Sequence, residues 1–372
     1  MNQTAEPVAS RCARWRACGT WLVAIVLVVM TSACVQIGPQ VLSTGRPLYN
    51  IAVQETESQQ LLLNIVRQRY NDPILFLDLT SISSTYTWEA SAGLLGNSIG
   101  AGPDSYGGAL GGRVSESPFI TYAPNTGKKF VQQMLTPLDL RTVTLIVQAG
   151  WSIERVLLIV GESINHLRNN PAATDPESGY LKFQEVADSL RTLQKNGDLS
   201  LGVGSVKKKG DKPELSLLVA ADAVKSAPYL SFCKSISVSC DGRPLLLRQA
   251  IGTSSDGETM SLATRSLNSA MYFLAQGVEV PQADVTDRVA GPNTNSGLLG
   301  KPGSDERLFR VNSSAEEPER AAVKVHYRNN WFFIEDNDAD SKTTFALVSM
   351  LVMLQSGDTS KVTPLITLPA GG

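Results

Sequence analysis

Residues 1–34 decide how much of this chain is available to fold, and where it folds. Arg11, Arg14 and Arg16 form a basic flank, Trp21 to Met30 run apolar, and Thr31-Ser32-Ala33 lead through small side chains into Cys34. A basic flank, an apolar core of that length and a small-residue exit mark a cleaved export signal. A membrane-spanning helix would need about 20 apolar residues, and this run fades at Thr31-Ser32. The expectation is that residues 1–33 form a signal peptide and that the rest folds outside the cytoplasm.

The segment Thr31-Ser32-Ala33-Cys34 resembles the lipobox of bacterial lipoproteins, with Thr31 where that box usually has Leu. The resemblance implies cleavage before Cys34 and lipid modification of that residue. A single acyl chain anchors only marginally, whereas the two or three chains the resemblance implies hold firmly. Val35 follows Cys34, not the Asp that in enteric bacteria retains lipoproteins at the inner membrane. The resemblance therefore implies an outer-membrane lipid anchor with the body in the periplasm.

Without residues 1–33 the chain loses three arginines and Glu6, leaving 30 basic against 34 acidic residues and a net charge near −4. No basic excess is present to bind nucleic acid. Apolar content of 42% with 18% charged residues is that of a globular protein rather than a disordered one. Of the five cysteines, Cys12 and Cys18 leave with the signal and Cys34 carries lipid, so Cys233 and Cys240 remain. Two thiols in an oxidising compartment are expected to form a disulfide. Neither strand nor helix brings residues seven apart within the ~7 Å that a bridge requires. Lys234 to Ser239 must therefore turn back on themselves if the pair closes.

Along the chain, residues 34–50 contain Gly38, Pro39, Gly45 and Pro47 without periodicity and read as a lipidated tether, order beginning near Ile51. Residues 51–126 read as a helix plus a long hairpin. Leu62, Ile65, Val66 and Arg69 recur at helical spacing up to Asn71-Asp72-Pro73. From Ile74 to Ala90 the period changes to two, with Ile82, Tyr86 and Trp88 on one side and Ser83, Thr85, Thr87 and Glu89 on the other. Gly93 to Gly112 reads as a mobile tip and Val114 to Tyr122 as the return strand.

Residues 127–225 read as a helical region with a β-hairpin. Helices are expected over 128–135, from Pro137 to Ala149, from Ser152 to Asn169, and from Tyr180 to Asn196. The hairpin that follows, Leu199 to Val206 and Leu215 to Ala220, has a tip at Lys207-Lys208-Lys209. Helices followed by such a hairpin resemble a winged-helix module, but an exported protein meets no chromosome.

Residues 226–372 read as an α+β region. It comprises loop-rich strand over 226–258, a helix over 261–276 and an exposed loop over 282–305. A β-β-β-α-β block then follows, with strands 308–312, 322–327 and 331–334, a helix over 343–354 and a strand over 364–368. Trp331-Phe332-Phe333 marks the central strand of that block. The fold class expected is α+β, a helical region with a winged-helix-like hairpin plus this sheet-and-helix block.

Candidate chemistry is sparse. Asp336, Asp338 and Asp340 match the first half of a calcium-binding EF-hand loop, but Ser341 stands where that loop has Gly and Leu347 where it has Glu. A helix cap at Asp340 or Ser341 explains the same acids. His166, expected late in a helix, and His326 have no metal-ligating neighbours at workable spacing. No G-x-S-x-G turn occurs, and Gly161-Glu162-Ser163 is expected inside a helix. No catalytic set and no cofactor are expected.

Three segments together resemble a group of uncharacterised proteobacterial outer-membrane lipoproteins. They are Leu62-Leu63-Asn64-Ile65-Val66-Arg67 with Tyr70 and Asp72-Pro73, Gly277-Val278-Glu279-Val280-Pro281, and Trp331-Phe332-Phe333-Ile334 with Asp338 and Asp340-Ser341-Lys342. The likeness covers most of the mature chain and implies envelope location without an activity. The reading is a lipid-anchored periplasmic scaffold or interaction protein, bound to membrane lipid through Cys34 and to envelope proteins through its body. The alternative is an oligomeric pore or secretion-system component that inserts the 82–122 hairpin into the membrane.

Overall fold

The buried residues Leu61, Leu62, Ile65 and Val66 fall on one face of helix α1 (Ile37–Arg69), the periodicity that the sequence displays there. The structure, a computed structural model, describes residues 37–97, 105–170, 179–203, 214–250, 257–293, 308–356 and 366–369. The chain divides into two units, residues 1–57 and 58–372. In the first, α1 begins at Ile37 rather than near Ile51 and contains Pro47, so the described part of the expected tether is helical. Gly38 and Pro39 fall in its opening turn, where proline costs no intrahelical hydrogen bond.

The second unit holds the rest. A ribbon of β1 (Leu77–Asn97) and β2 (Ser105–Pro124) follows α1. Its root is fastened by two carboxamides one helical turn apart. Asn64, fully buried, donates to the Leu75 carbonyl at 2.8 Å and accepts from the Leu75 amide at 3.1 Å. Gln60 makes the same pair of bonds with Leu77 at 3.2 and 2.6 Å.

Short helices α2 (Lys128–Leu135), α3 (Leu140–Gln148) and α4 (Ile153–Val160) come next. α3 starts at Leu140 instead of Pro137, because Pro137 bridges Ser266 and the Leu138 amide donates to the Arg265 carbonyl. α4 is capped by Ser152 as expected, but it ends at Val160 and does not run to Asn169. β3 (Gly161–Ile164) and β4 (Leu167–Arg168) follow, so Gly161-Glu162-Ser163 is strand and His166 sits in an exposed turn. The cause is tertiary. Arg265, buried, donates to the carbonyls of Leu158, Ile159 and Asn169, and the Asn169 carboxamide donates to those of Leu158 and Gly161. The last turn of α4 is thereby closed by side chains from elsewhere.

After α5 (Gly179–Asn196) come β5 (Leu199–Val203), β6 (Leu215–Val219), α6 (Ala227–Ile236), β7 (Leu245–Arg248), β8 (Thr259–Thr264) and α7 (Leu267–Ala275). The expected loop-rich strand therefore contains α6, capped by Ser226 with Pro228 in its opening turn. The expected helix 261–276 divides into buried strand β8 and α7, which Ser266 caps. Six strands form one sheet in the order β4-β3-β8-β7-β6-β5, with only β7 and β8 parallel. The hairpin β5–β6 is part of that sheet and not a separate wing. All six residues of β8 are buried.

The C-terminal elements are α8 (Gln282–Thr286), β9 (Asn312–Ser314), β10 (Val323–Tyr327), β11 (Asn330–Ile334), α9 (Ala339–Ser356) and β12 (Ile366–Pro369). Strand β11 is central, as its aromatics imply, in the order β10-β11-β9. Arg328 and Asn329 both take positive φ, 48° and 63°, in the two-residue turn between β10 and β11. Strand β12 does not join this sheet; it pairs with β2. The α+β class holds, with the block reduced to three strands and a helix.

At the end of α1 the Tyr70 ring meets Tyr327 and Phe332 edge-on, and its hydroxyl donates to Asp284 at 2.6 Å. Asp72 accepts from Tyr327 and from Arg328, and these two donors hold its carboxyl below the usual range. Replacing Asn64 with Ala leaves the Leu75 amide and carbonyl without their buried partner; the expected loss is about 1–2 kcal/mol in urea unfolding, against under about 1 for Gln60→Ala nearer the surface. A carboxyl lowered in the folded state stabilises above its unfolded pKa and ceases to do so as pH falls through the folded value. Asp72→Asn protein should therefore lose less stability than the wild type below about pH 4, as followed by thermal melts across that range.

Candidate functional site

The ribbon is the feature that the body does not absorb. Its register runs from Leu77 opposite Pro124 to Asn97 opposite Ser105, with one irregularity between Leu79 and Ser81. At ~3.4 Å per residue a strand of this kind extends for roughly 70 Å. Strand β12 covers the edge of β2 only from Tyr122 to Phe119. Beyond that point, among the described residues, neither edge of the ribbon is paired.

The glycine-rich stretch expected as a mobile tip is strand except for residues 98–104, which lie outside the described residues. The register explains how so many glycines are accommodated. Ala90 faces Gly112, Ser91 Gly111, Gly93 Ala109, Leu94 Gly108, Leu95 Gly107 and Gly96 Tyr106; no glycine faces another. Each pairing thus sets a glycine against a residue that has a side chain. That complementarity is visible in the sequence only when the two strands are aligned at the correct turn.

Alternation sorts the positions into two faces. On one lie 82, 84, 86, 88, 90, 92, 94 and 96 with their partners 120 to 106, and on the other the intervening residues. Ser83, Thr87, Ser91, Arg113 and Ser115, all of the second face, are exposed.

Cys34 lies outside the described residues. The second pair, Cys233 and Cys240, stands as free thiols instead of the expected bridge. The required reversal is nonetheless present: Ser237 adopts a left-handed conformation, φ 59°, and the Val238 amide donates to the Cys233 carbonyl at 3.0 Å. The Cys233 thiol is directed at the Ser239 carbonyl, 3.9 Å away. Burial first, and then the adjoining Cys240, push that thiol up to about 12. The protonated form is a poor nucleophile, so oxidation must be driven from outside.

The acids of the 335–341 turn are engaged by the protein. Asp338 accepts from the Ser341 amide at 2.9 Å and from its hydroxyl at 2.7 Å, so it caps α9; the cap is neither Asp340 nor Ser341. Asp336 pairs with Lys342 at 2.8 Å, and Asp340 with Arg155 of α4 at 2.6 Å. Asp336, Asp338 and Asp340 face three different partners and do not converge as a calcium site would require. Among the described residues no group of His, Cys, Asp or Glu is placed to hold a metal. His326 lies edge-on to Trp331, with ring centres 5.2 Å apart.

No family model, curated protein or solved structure matches this chain. No helix among the described residues is long and apolar enough to cross a membrane.

Asp338→Ala removes the α9 cap and should lower stability by about 1 kcal/mol, whereas millimolar calcium should leave the wild-type melting temperature unmoved; calorimetry reads both. Treatment with diamide should remove about 2 Da and both free thiols of the Cys233–Cys240 pair while leaving the circular dichroism unchanged, because the chain already reverses between them.

Proposed function

We propose that the protein is a lipid-anchored scaffold or interaction protein of the bacterial outer membrane, held through Cys34, with its α+β body in the periplasm. Its contact element is the β1–β2 ribbon. One observation carries this reading: a strand pair of ~20-residue arms leaves the body, and among the described residues no further strand pairs with either edge beyond Phe119 and Ile82. A two-stranded ribbon alone in water is marginally stable at best. Unpaired edges are templates for further strands, and natural proteins ordinarily shorten, cover or charge them. Here they are long, and from Ile82 to Asn97 the first arm contains a single charged residue, Glu89.

The body supplies rigidity rather than chemistry. Buried Arg265, Asn165 and Asn169 bind backbone carbonyls and hold the sheet to its helices. Partners on this reading are membrane lipid at Cys34 and envelope proteins along the ribbon; nucleic acid is not among them. The alternative of an oligomeric pore is favoured by the sorting of residue types between the ribbon's two faces.

Fractionation of the native host is the test. The wild type should sediment with outer membrane, and Cys34→Ala should move to the soluble periplasmic fraction or remain unprocessed. Photo-crosslinkers at Thr87 and Ser115 should give discrete adducts, whereas crosslinkers at Lys129 and Glu185 on the body should give few. An unmodified N-terminus by intact mass, or cytosolic protein, would end this reading.

A further inference from the structure

The two faces of the outer ribbon differ in a regular way. From Trp88 to Gly96 and back from Tyr106 to Val114, one face carries Trp88, Ala90, Ala92, Leu94 and Gly96 opposite Val114, Gly112, Leu110, Gly108 and Tyr106. No charged residue is among them. The nearest charge on that face is Glu116, opposite Tyr86. The other face carries Thr87, Glu89, Ser91, Gly93, Leu95 and Asn97 opposite Ser115, Arg113, Gly111, Ala109, Gly107 and Ser105, with the acid and base directly across from each other. One face without charge, backed by a face that carries the charged pair, is the pattern of a strand between lipid and water.

The dimensions agree. Aromatic positions bracket the apolar stretch, Tyr86 and Trp88 at the body end and Tyr106, opposite Gly96, at the far end. From Tyr86 to Gly96 the strand extends roughly 34 Å at ~3.4 Å per residue, or roughly 26 Å along the membrane normal at a tilt near 40°. A transmembrane strand takes about 9–11 residues and an apolar band about 25 Å tall, flanked by aromatic girdles.

Hydrogen bonding then determines what lies at the edges. In hydrocarbon every backbone N–H and C=O needs a partner within the protein, and only a closed barrel gives a sheet no edge. One chain supplies two strands. Because β1 and β2 run in opposite directions, β1 of one copy placed beside β2 of the next continues the antiparallel order around a ring. Head-to-tail contacts of that type close by rotation. Barrels begin at about eight strands, so closure needs at least about four copies.

We propose, resting on the envelope reading above, that the partners of the ribbon edges are further copies of this chain, and that their ribbons close into a transmembrane β-barrel. Trp88, Ala90, Ala92 and Leu94 face lipid, and Thr87, Glu89, Ser91 and Arg113 line an aqueous lumen. The protein is then a pore whose wall is shared among protomers.

The test uses full-length acylated protein in vesicles of phosphatidylethanolamine and phosphatidylglycerol, on a Cys233→Ser, Cys240→Ser background. Single cysteines at Ala90, Ser91, Ala92, Gly93 and Leu94 carry an environment-sensitive fluorophore. Emission at 90, 92 and 94 should shift to the blue and be quenched by nitroxide-bearing lipid; emission at 91 and 93 should be quenched by aqueous iodide. Vesicles loaded with calcein should release it, and Ala92→Arg should cut release at least tenfold. The near-ultraviolet circular dichroism of that variant should be unchanged, because the position lies far along the ribbon from the core.

Equal emission at both parities, or release that Ala92→Arg does not reduce, overturns the barrel. So does association of the ribbons in solution without the parity pattern in vesicles. If Cys34 is acylated and the protein fractionates with outer membrane while the parity pattern is missing, the anchor stands and the barrel alone falls. An unmodified Cys34 alongside a clear parity pattern is the reverse case.

Discussion

Two carboxamides on one face of α1 hold the ribbon to the body. Asn64 and Gln60 each offer a donor and an acceptor to the backbone at Leu75 and Leu77, as a neighbouring strand would. The helix therefore completes the hydrogen bonding of the chain just where β1 begins. Asn64 is fully buried, and loss of its two bonds would leave the Leu75 amide and carbonyl without their partner. Everything the ribbon does further out depends on this root keeping its direction.

The body behind it is joined by polar groups that reach across long separations in sequence. Arg265 takes the carbonyls at the end of α4, with its guanidinium 4.0 Å from the Phe273 ring centre. Arg69 takes those of Val278, Gly291 and Pro292. Asn165 joins the turn after β3 to the end of α6 and to β8. In each case a buried donor meets backbone carbonyls rather than an acid. These residues fix the ends of the elements through contacts within the protein. The same holds for the acidic turn before α9, where capping and ion pairing use all three aspartates.

How much of this was legible varies with how local the cause is. The buried face of α1, the Ser152 cap, the glycines ending α3 and α5 at Gly150 and Gly197, and the central place of β11 follow from spacing and from end signals. The premature end of α4 was not legible, because Val156 to Ile164 has one unbroken apolar rhythm and the residue that ends it, Arg265, is remote. Likewise 261–276 reads as one apolar helix until pairing with β7 and β3 takes its first part as strand. Period-2 and period-3.6 patterns cannot be told apart in short, wholly buried segments.

By itself the sequence determined the α+β class, the amphipathic helix and the alternating arms of the hairpin, because each is written in residue type and local period. Only the tertiary structure decided that the hairpin continues through its glycines, that β12 stops near its root, and that the hairpin at 199–219 is part of a larger sheet. Those outcomes rest on which backbone hydrogen bonds find partners. A strand's own residues specify its faces; what lies along its edges is specified by the chain that comes to meet it.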